Sequence, residues 1–270
     1  MKIPALLLVA ISCLLHQQLF AQNTQWETYM GQYENGPGSA TVDLNVKNKV
    51  QSKEFPFLLS TGIAIQKCKE DGLPETEALP ALDRIAAAVR PFVNAMGQNI
   101  FTGTFTYQCE RLDHFYVKDT SGIREKLTKL YIDSFPGAEY RINIKPDSIW
   151  QDYLDFLYPN AVSLEFILNE KILAKQKAAG DSLEKERPVN HTIYFKNETD
   201  VSCFTPYVLK QKFKIVSKEK TSDSRGGIKL LVTKTNKIDL ATISAITMDL
   251  KRMAMRCNAE YDKWECEVVK

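Results

Sequence analysis

Asp181, Arg187 and His191 are the residues of this 270-residue chain whose types and spacing come closest to chemistry. A carboxylate and a guanidinium can pair, and the pair can orient an imidazole for acid–base work or for holding an anion. Asp181 follows the helix stop Gly180, Arg187 precedes Pro188, and His191 opens a strand. The same residues have a structural use. Arg187 can pin an extended entry segment to Asp181, and His191 can satisfy a backbone group at a sheet edge. With no nucleophile in view, the sequence favours the structural use.

A second set sits in the first half. Strict alternation places Phe101, Phe105 and Tyr107 on one side of a strand and Thr102, Thr104 and Thr106 on the other. If the aromatics face helices, the threonines share an outer face with Ser60, His114, Tyr116, Arg141 and Asn143. Such a face could take a partner or a small polar ligand, and a solvated antiparallel face reads the same way. Near the end of the chain, alternation puts Tyr261 and Trp264 on opposite faces of one strand. Trp264 then belongs to a core, and Tyr261, like Tyr194, is a candidate surface anchor. Lys210, Lys212, Lys214, Lys218 and Lys220 around Phe213 imitate a nucleic-acid patch, but lysines also guard the outer strand of a sheet. Net charge is +2, which gives no field that would draw nucleic acid or an anionic membrane. No Gly-x-Ser-x-Gly, His-Glu-x-x-His, phosphate loop or Gly-x-Gly-x-x-Gly occurs. No cofactor and no metal are expected, because there is no Cys-x-x-Cys and few imidazoles.

The start of the chain reads as an export leader. Lys2 is followed by an apolar run and then by Leu19-Phe20-Ala21, with a cut expected after Ala21. Cys13 could instead be a lipid-anchor cysteine, although Ala10 stands where such signals carry Leu. The apolar run is too short to span a bilayer, and no later one approaches the roughly 20 residues required. The protein is therefore expected in the periplasm or outside the cell, with no transmembrane segment. There, disulfides become the default for Cys68, Cys109, Cys203, Cys257 and Cys266.

Apolar periodicity gives one order of elements twice. After a short strand at 40–46, the first half runs strand 55–66, helix 75–96, hairpin 99–107 and 111–118, helix 121–135 capped by Ser121, and strand 140–145. The second runs strand 191–196, helix 199–211, strands 213–219 and 228–234, helix 239–257 closed by Asn258, and strand 261–269. The fold class is α+β: two tandem ferredoxin-like βαββαβ domains, with antiparallel sheets and helices on one face. The expected boundaries are a leader at 1–21, a first domain at 22–147, a helical linker at 148–181 and a second domain at 182–270. Strand order 4-1-3-2 brings Cys68 and Cys109 to one end of the first sheet. It also sets Cys203, early in one helix, beside Cys257, late in its antiparallel neighbour. Cys68–Cys109 and Cys203–Cys257 are the predicted disulfides, with Cys266 buried and free. Cys203 and Cys257 read equally well as small core hydrophobes.

Two stretches carry a family resemblance. WETYMGQYENGPGSATVDL at 26–44, with the rest of the first half, resembles the domain of unknown function 695. In the second half, Trp150-x-x-Tyr153-x-x-Phe156-Leu157-Tyr158-Pro159, the run Gly180-Asp181 through Arg187, His191 and Tyr194-Phe195, and Tyr261-Asp262-x-Trp264 resemble the regulator of ribonuclease E activity B family. Lys263 departs from that pattern, where Gly is expected. The resemblance implies a ferredoxin-like domain that binds a protein and is not an enzyme. An export leader would part it from a cytoplasmic ribonuclease. Residues 150–270 also carry 20 Lys and Arg against 17 Asp and Glu, the wrong sign for an RNA mimic. The expectation is an exported binding or regulatory protein acting on an unidentified envelope protein or a small polar ligand. The alternative is a small hydrolase or transferase built on Asp181, Arg187 and His191.

Overall fold

The structure is a computed structural model describing residues 24–49 and 53–270. The export leader, its cut after Ala21 and Cys13 lie outside the described residues. The chain divides into two compact units, one ending at Tyr158 and the other spanning Pro159–Lys270.

The first unit is a six-stranded antiparallel sheet. Its strands are β1 (Trp26–Tyr33), β2 (Gly36–Asp43), β3 (Phe57–Ala64), β4 (Asn99–Tyr107), β5 (Glu110–Val117) and β6 (Tyr140–Pro146). Helix α1 (Leu79–Met96) joins β3 to β4, and α2 (Ile123–Ser134) joins β5 to β6. The order is β1-β2-β4-β5-β3-β6. From β3 onward this is βαββαβ with the expected order of fourth, first, third and second strand. The strand expected at 40–46 is the returning arm of a β1–β2 hairpin that ends at Asp43. Pro80 sits where α1 begins, so its missing N–H costs nothing there. Ser121 does not cap α2. Gly122, at φ 68°, holds that place, and Ser121 turns its N–H and hydroxyl to Asp119. Leu59, Phe115, Leu127 and Tyr131 centre the core beneath the helices.

The opposite face of this sheet is not open. Trp150, Tyr153 and Leu157, fully buried, roof it and pack with Leu58, Tyr116, Ala40, Val42 and Phe105 as a second core. The start of the segment read as a helical linker forms a π-helical turn at Asp152–Leu157. A bulge also corrects the faces of β4. Its register on β5 slips between Phe101 and Gly103, so one extra residue, Thr102, reverses every side chain beyond it. Phe101 joins the helix-side core, while Phe105 joins the core under the roof with Tyr107 packed against it. Thr104 is carried to the helix side, where Arg90 of α1 reaches it.

The second unit comprises α3 (Ala161–Ala178), β7 (Arg187–Phe195), α4 (Glu198–Lys210), β8 (Lys214–Lys220), β9 (Ile228–Asn236), α5 (Leu240–Arg256) and β10 (Ala259–Glu265). Strand order β10-β7-β9-β8 repeats the arrangement of fourth, first, third and second. Side chains of Asn160, Asn197 and Asp239 accept the N-terminal amides of α3, α4 and α5. Asn258, at φ 57°, closes α5 as the sequence suggests. Ile193, Phe195, Phe204, Val208, Val232 and Leu250 form the core. The residues read as a linker are divided: Trp150–Tyr158 pack into the first unit, and α3 packs against α5. Both predicted disulfides are present, with Cα–Cα distances of 5.7 Å for Cys68–Cys109 and 5.6 Å for Cys203–Cys257. Cys266 is free and half-buried rather than buried.

Candidate functional site

β7 positions the residues of interest in the second unit. Arg187, Val189, His191, Ile193 and Phe195 alternate onto the face that carries the core. Arg187 and Asp181 form a sealed ion pair, with side chains 3% and 0% exposed. Asp181 also accepts the amides of Leu183 at 2.7 Å and Val269 at 2.9 Å. Arg187 donates to the carbonyls of Lys185 and Glu267. The pair thus ties the entry to β7 to the C-terminal segment. Burial raises the Asp181 pKa, and the Arg187 and amide hydrogen bonds outweigh it to leave the carboxyl below its usual value.

His191 belongs to a different group. It lies four residues along the strand from Arg187, about 13 Å at normal strand rise, and its Nδ1 is 2.9 Å from the Tyr261 hydroxyl. Burial, with Lys234 adding to it, lowers its pKa to about 3, so the ring is neutral at physiological pH. The Asp181, Arg187 and His191 constellation of the alternative reading is therefore not assembled. Asp181 and Arg187 form one buried cluster, and His191 with Tyr261 another. Tyr261 reaches the core side because β10 slips between Tyr261 and Lys263 on β7. Tyr261 pairs with Ile193 and Trp264 with His191, so both rings share one face, contrary to alternation. Burial pushes the Tyr261 pKa well up.

Beside this pair is a network the sequence did not single out. Asn169 of α3, buried, donates to Ser244 at 3.0 Å and Thr247 at 3.1 Å, and accepts the Trp264 indole N–H at 2.8 Å. Glu165, one turn earlier and also buried, pairs with Lys251 of α5. The available signal was the i,i+4 spacing of two polar residues inside an apolar run. Above the network, α3, α5 and the start of β10 line a groove of about 580 Å³. Its apolar lining includes Val162, Leu168 and Met255, which are exposed at 51%, 48% and 74%. The Tyr261 ring edges this groove while its hydroxyl turns inward to His191. On the other face of the sheet, Tyr194 is covered by the Arg225 guanidinium 4.0 Å from its ring centre, and Arg225 pairs with Asp223 and Asp262.

In the first unit the candidates fall on both sides of the sheet. Ser60, His114, Tyr116 and Arg141 lie on the roofed side. His114 Nδ1 is 2.9 Å from Asp152 Oδ2; the carboxylate can only accept, which places the proton on Nδ1. Ser60 Oγ is 3.4 Å from the same nitrogen, so serine and carboxylate compete for one atom and cannot relay a proton through the ring. Tyr116 stacks on Trp150 at 3.9 Å and donates to Asp147 at 2.6 Å. Asp147 also accepts the amides of Gln151 and Asp152, which starts the roof. Thr102 donates to the His114 carbonyl. Thr104 donates to Asp113, which Arg90 grips through two nitrogens at 2.8 and 3.0 Å. Arg141 pairs with Glu110 and Glu139. Among the described residues no three His, Cys, Asp or Glu side chains are grouped to hold a metal ion.

Residues 24–158 match the family described as Family of unknown function (DUF695), and the chain belongs to that family. Residues 167–266 match the family described as Regulator of ribonuclease activity B. The run from Trp150 to Tyr158, read above with the second family, therefore falls in the first, in agreement with its place as the roof of the first unit. No curated protein matches the chain.

Proposed function

We propose that this chain, a DUF695 member whose second unit is similar to regulators of ribonuclease activity B, is an exported, non-catalytic regulatory protein that binds another protein. In this reading both βαββαβ units are ferredoxin-like, and the second presents the binding surface. One observation carries the proposal: the groove between α3, α5 and β10 exposes Val162, Leu168 and Met255 together. Scattered exposed apolar residues are ordinary, but a contiguous apolar groove with a polar rim suits a partner's apolar side chains. Methionines in it adapt to the shape they meet.

The polar candidates support the same reading. Asp181 and Arg187 spend their hydrogen bonds on the protein's own backbone, and His191 is held neutral in the core. Two disulfides fit an oxidising compartment. No described helix is long and apolar enough to cross a membrane. A cytoplasmic ribonuclease is not carried over as the partner, because export would separate the two.

Site-specific photo-crosslinking from position 255 in intact cells tests the proposal. A discrete adduct with an envelope protein is expected there and not from position 132, an exposed site on α2. Identical products from both positions would contradict it.

A further inference from the structure

We propose that β1 is a pairing edge for a second copy of this chain, joining two first-unit sheets antiparallel along Trp26–Gln32. The two sheets have four outer strands. Three are defended in the ways sheet edges usually are. β6 carries Arg141 and Lys145 and ends on Pro146. β8 carries Lys214, Lys218 and Lys220 and slips register between Ile215 and Ser217. β10 carries Glu260, Asp262, Lys263 and Glu265 and has its own bulge. β1 runs eight residues, WETYMGQY, with no lysine, no proline and no register slip, and Glu27 is its one charge. Among the described residues it has a neighbour on one side only.

The backbone groups it offers can be assigned. Gln32 lies opposite Pro37, which has no N–H, so that pair cannot be a hydrogen-bonded one. In the same register, Leu44 N–H donates to the Gln25 carbonyl at 2.9 Å. The Thr28 and Thr41 hydroxyls lie 2.9 Å apart, as the closer side chains of a non-bonded pair should. The odd-numbered residues therefore bond β2. Trp26, Thr28, Met30 and Gln32 turn their N–H and C=O groups away from it. The side chains of Trp26 and Met30 are also 40% and 54% exposed.

A second copy fits this edge because the strand complements itself. An antiparallel pairing centred on Tyr29 sets Trp26 opposite Gln32 and Thr28 opposite Met30, so every outward residue meets an outward residue. Glu27 falls opposite Gly31 and no charge faces a like charge. The parity of this register keeps corresponding faces of the two sheets on the same side, as a closed two-fold pair requires.

Sedimentation and amide exchange of the purified protein test this together. The expected result is a mass that rises to twice one chain with concentration, while the amides of Trp26, Thr28, Met30 and Gln32 become protected in step. Met30→Lys and Thr28→Lys should each run as a single chain with the wild-type circular dichroism. A single-chain mass at every concentration would overturn the proposal. So would a doubled mass with those four amides still exchanging freely, or a doubled mass that survives both lysine variants. If the variants fail to fold, the wild-type exchange pattern alone decides.

Discussion

The two units bury the same kinds of polar side chain but connect them to water differently. In the first, the Asp113 carboxylate is buried while its partner Arg90 remains 34% exposed. His114 pairs with Asp152, and Asp152 is also 3.7 Å from Lys145, whose side chain is 61% exposed. In the second, Arg187 and Asp181 are both sealed, and among the described residues the His191 ring hydrogen-bonds only the Tyr261 hydroxyl. The Tyr261 hydroxyl carries no charge to compensate a proton on His191, and Lys234 opposes one. The Asp181–Arg187 pair and His191 are therefore cut off from water, whereas Asp113 and Asp152 keep a route to it, as Glu165 does in the second unit through the 35%-exposed Lys251.

The sharpest way to break this contrast is to remove one arginine from each unit. Arg187→Met leaves Asp181 charged and enclosed, and should cost about 3–5 kcal/mol in urea unfolding. Arg90→Met leaves Asp113 beside water and Thr104, and should cost about 1–2 kcal/mol. Equal losses would end the distinction.

The imidazoles give the next effect. The folded pKa of His191, about 3, lies below the ordinary imidazole value of 6.5. The unfolded chain therefore binds the extra proton first as pH falls. The stability associated with neutral His191 is fully present above pH 6.5 and is lost as pH drops toward 3, at up to about 1.4 kcal/mol per pH unit. Unfolding of His191→Leu should lack that slope; an unchanged slope would place its source elsewhere.

The disulfides should level the units. Their sequence separations are 41 and 54, and loop-closure entropy depends only weakly on such a difference. Replacing either pair by serines should therefore cost a similar amount, about 2–4 kcal/mol. Two calorimetric measurements would reveal any asymmetry.

The histidine partners extend the comparison to single hydrogen bonds. Asp152→Ala and Tyr261→Phe each take the short hydrogen-bond partner from a buried ring Nδ1, at about 1–3 kcal/mol. The Asp152 change should be the larger, since it removes a charge-assisted bond.

Much of this was legible from sequence, and the exceptions share a cause. Cys68–Cys109 followed from strand order, because topology fixes which ends of elements meet; Cys203–Cys257 was suggested by the antiparallel helices but read equally well as two small core residues. The faces of β4 and β10 were misread at Thr102 and Asp262, where one extra residue leaves local propensity unchanged and reverses everything beyond it. Tyr261 was therefore expected at the surface and is found at His191. β1 was missed because WETYMGQY alternates half-buried with exposed residues and has no apolar stripe strong enough to stand out. The roof was missed because residues 148–158 read as part of a helical linker; the His114 partner, Asp152, emerges only when residues 38 apart are brought together.

The proposed binding role falls to the apolar groove rather than to the buried polar clusters. It is tested most directly by crosslinking from position 255 in two backgrounds. Leu168→Asp, at a half-exposed groove position, should abolish the adduct while the thermal midpoint stays near wild type. His191→Leu should leave the adduct intact. An adduct indifferent to Leu168→Asp, or one lost with His191→Leu in a fully folded protein, would contradict the account.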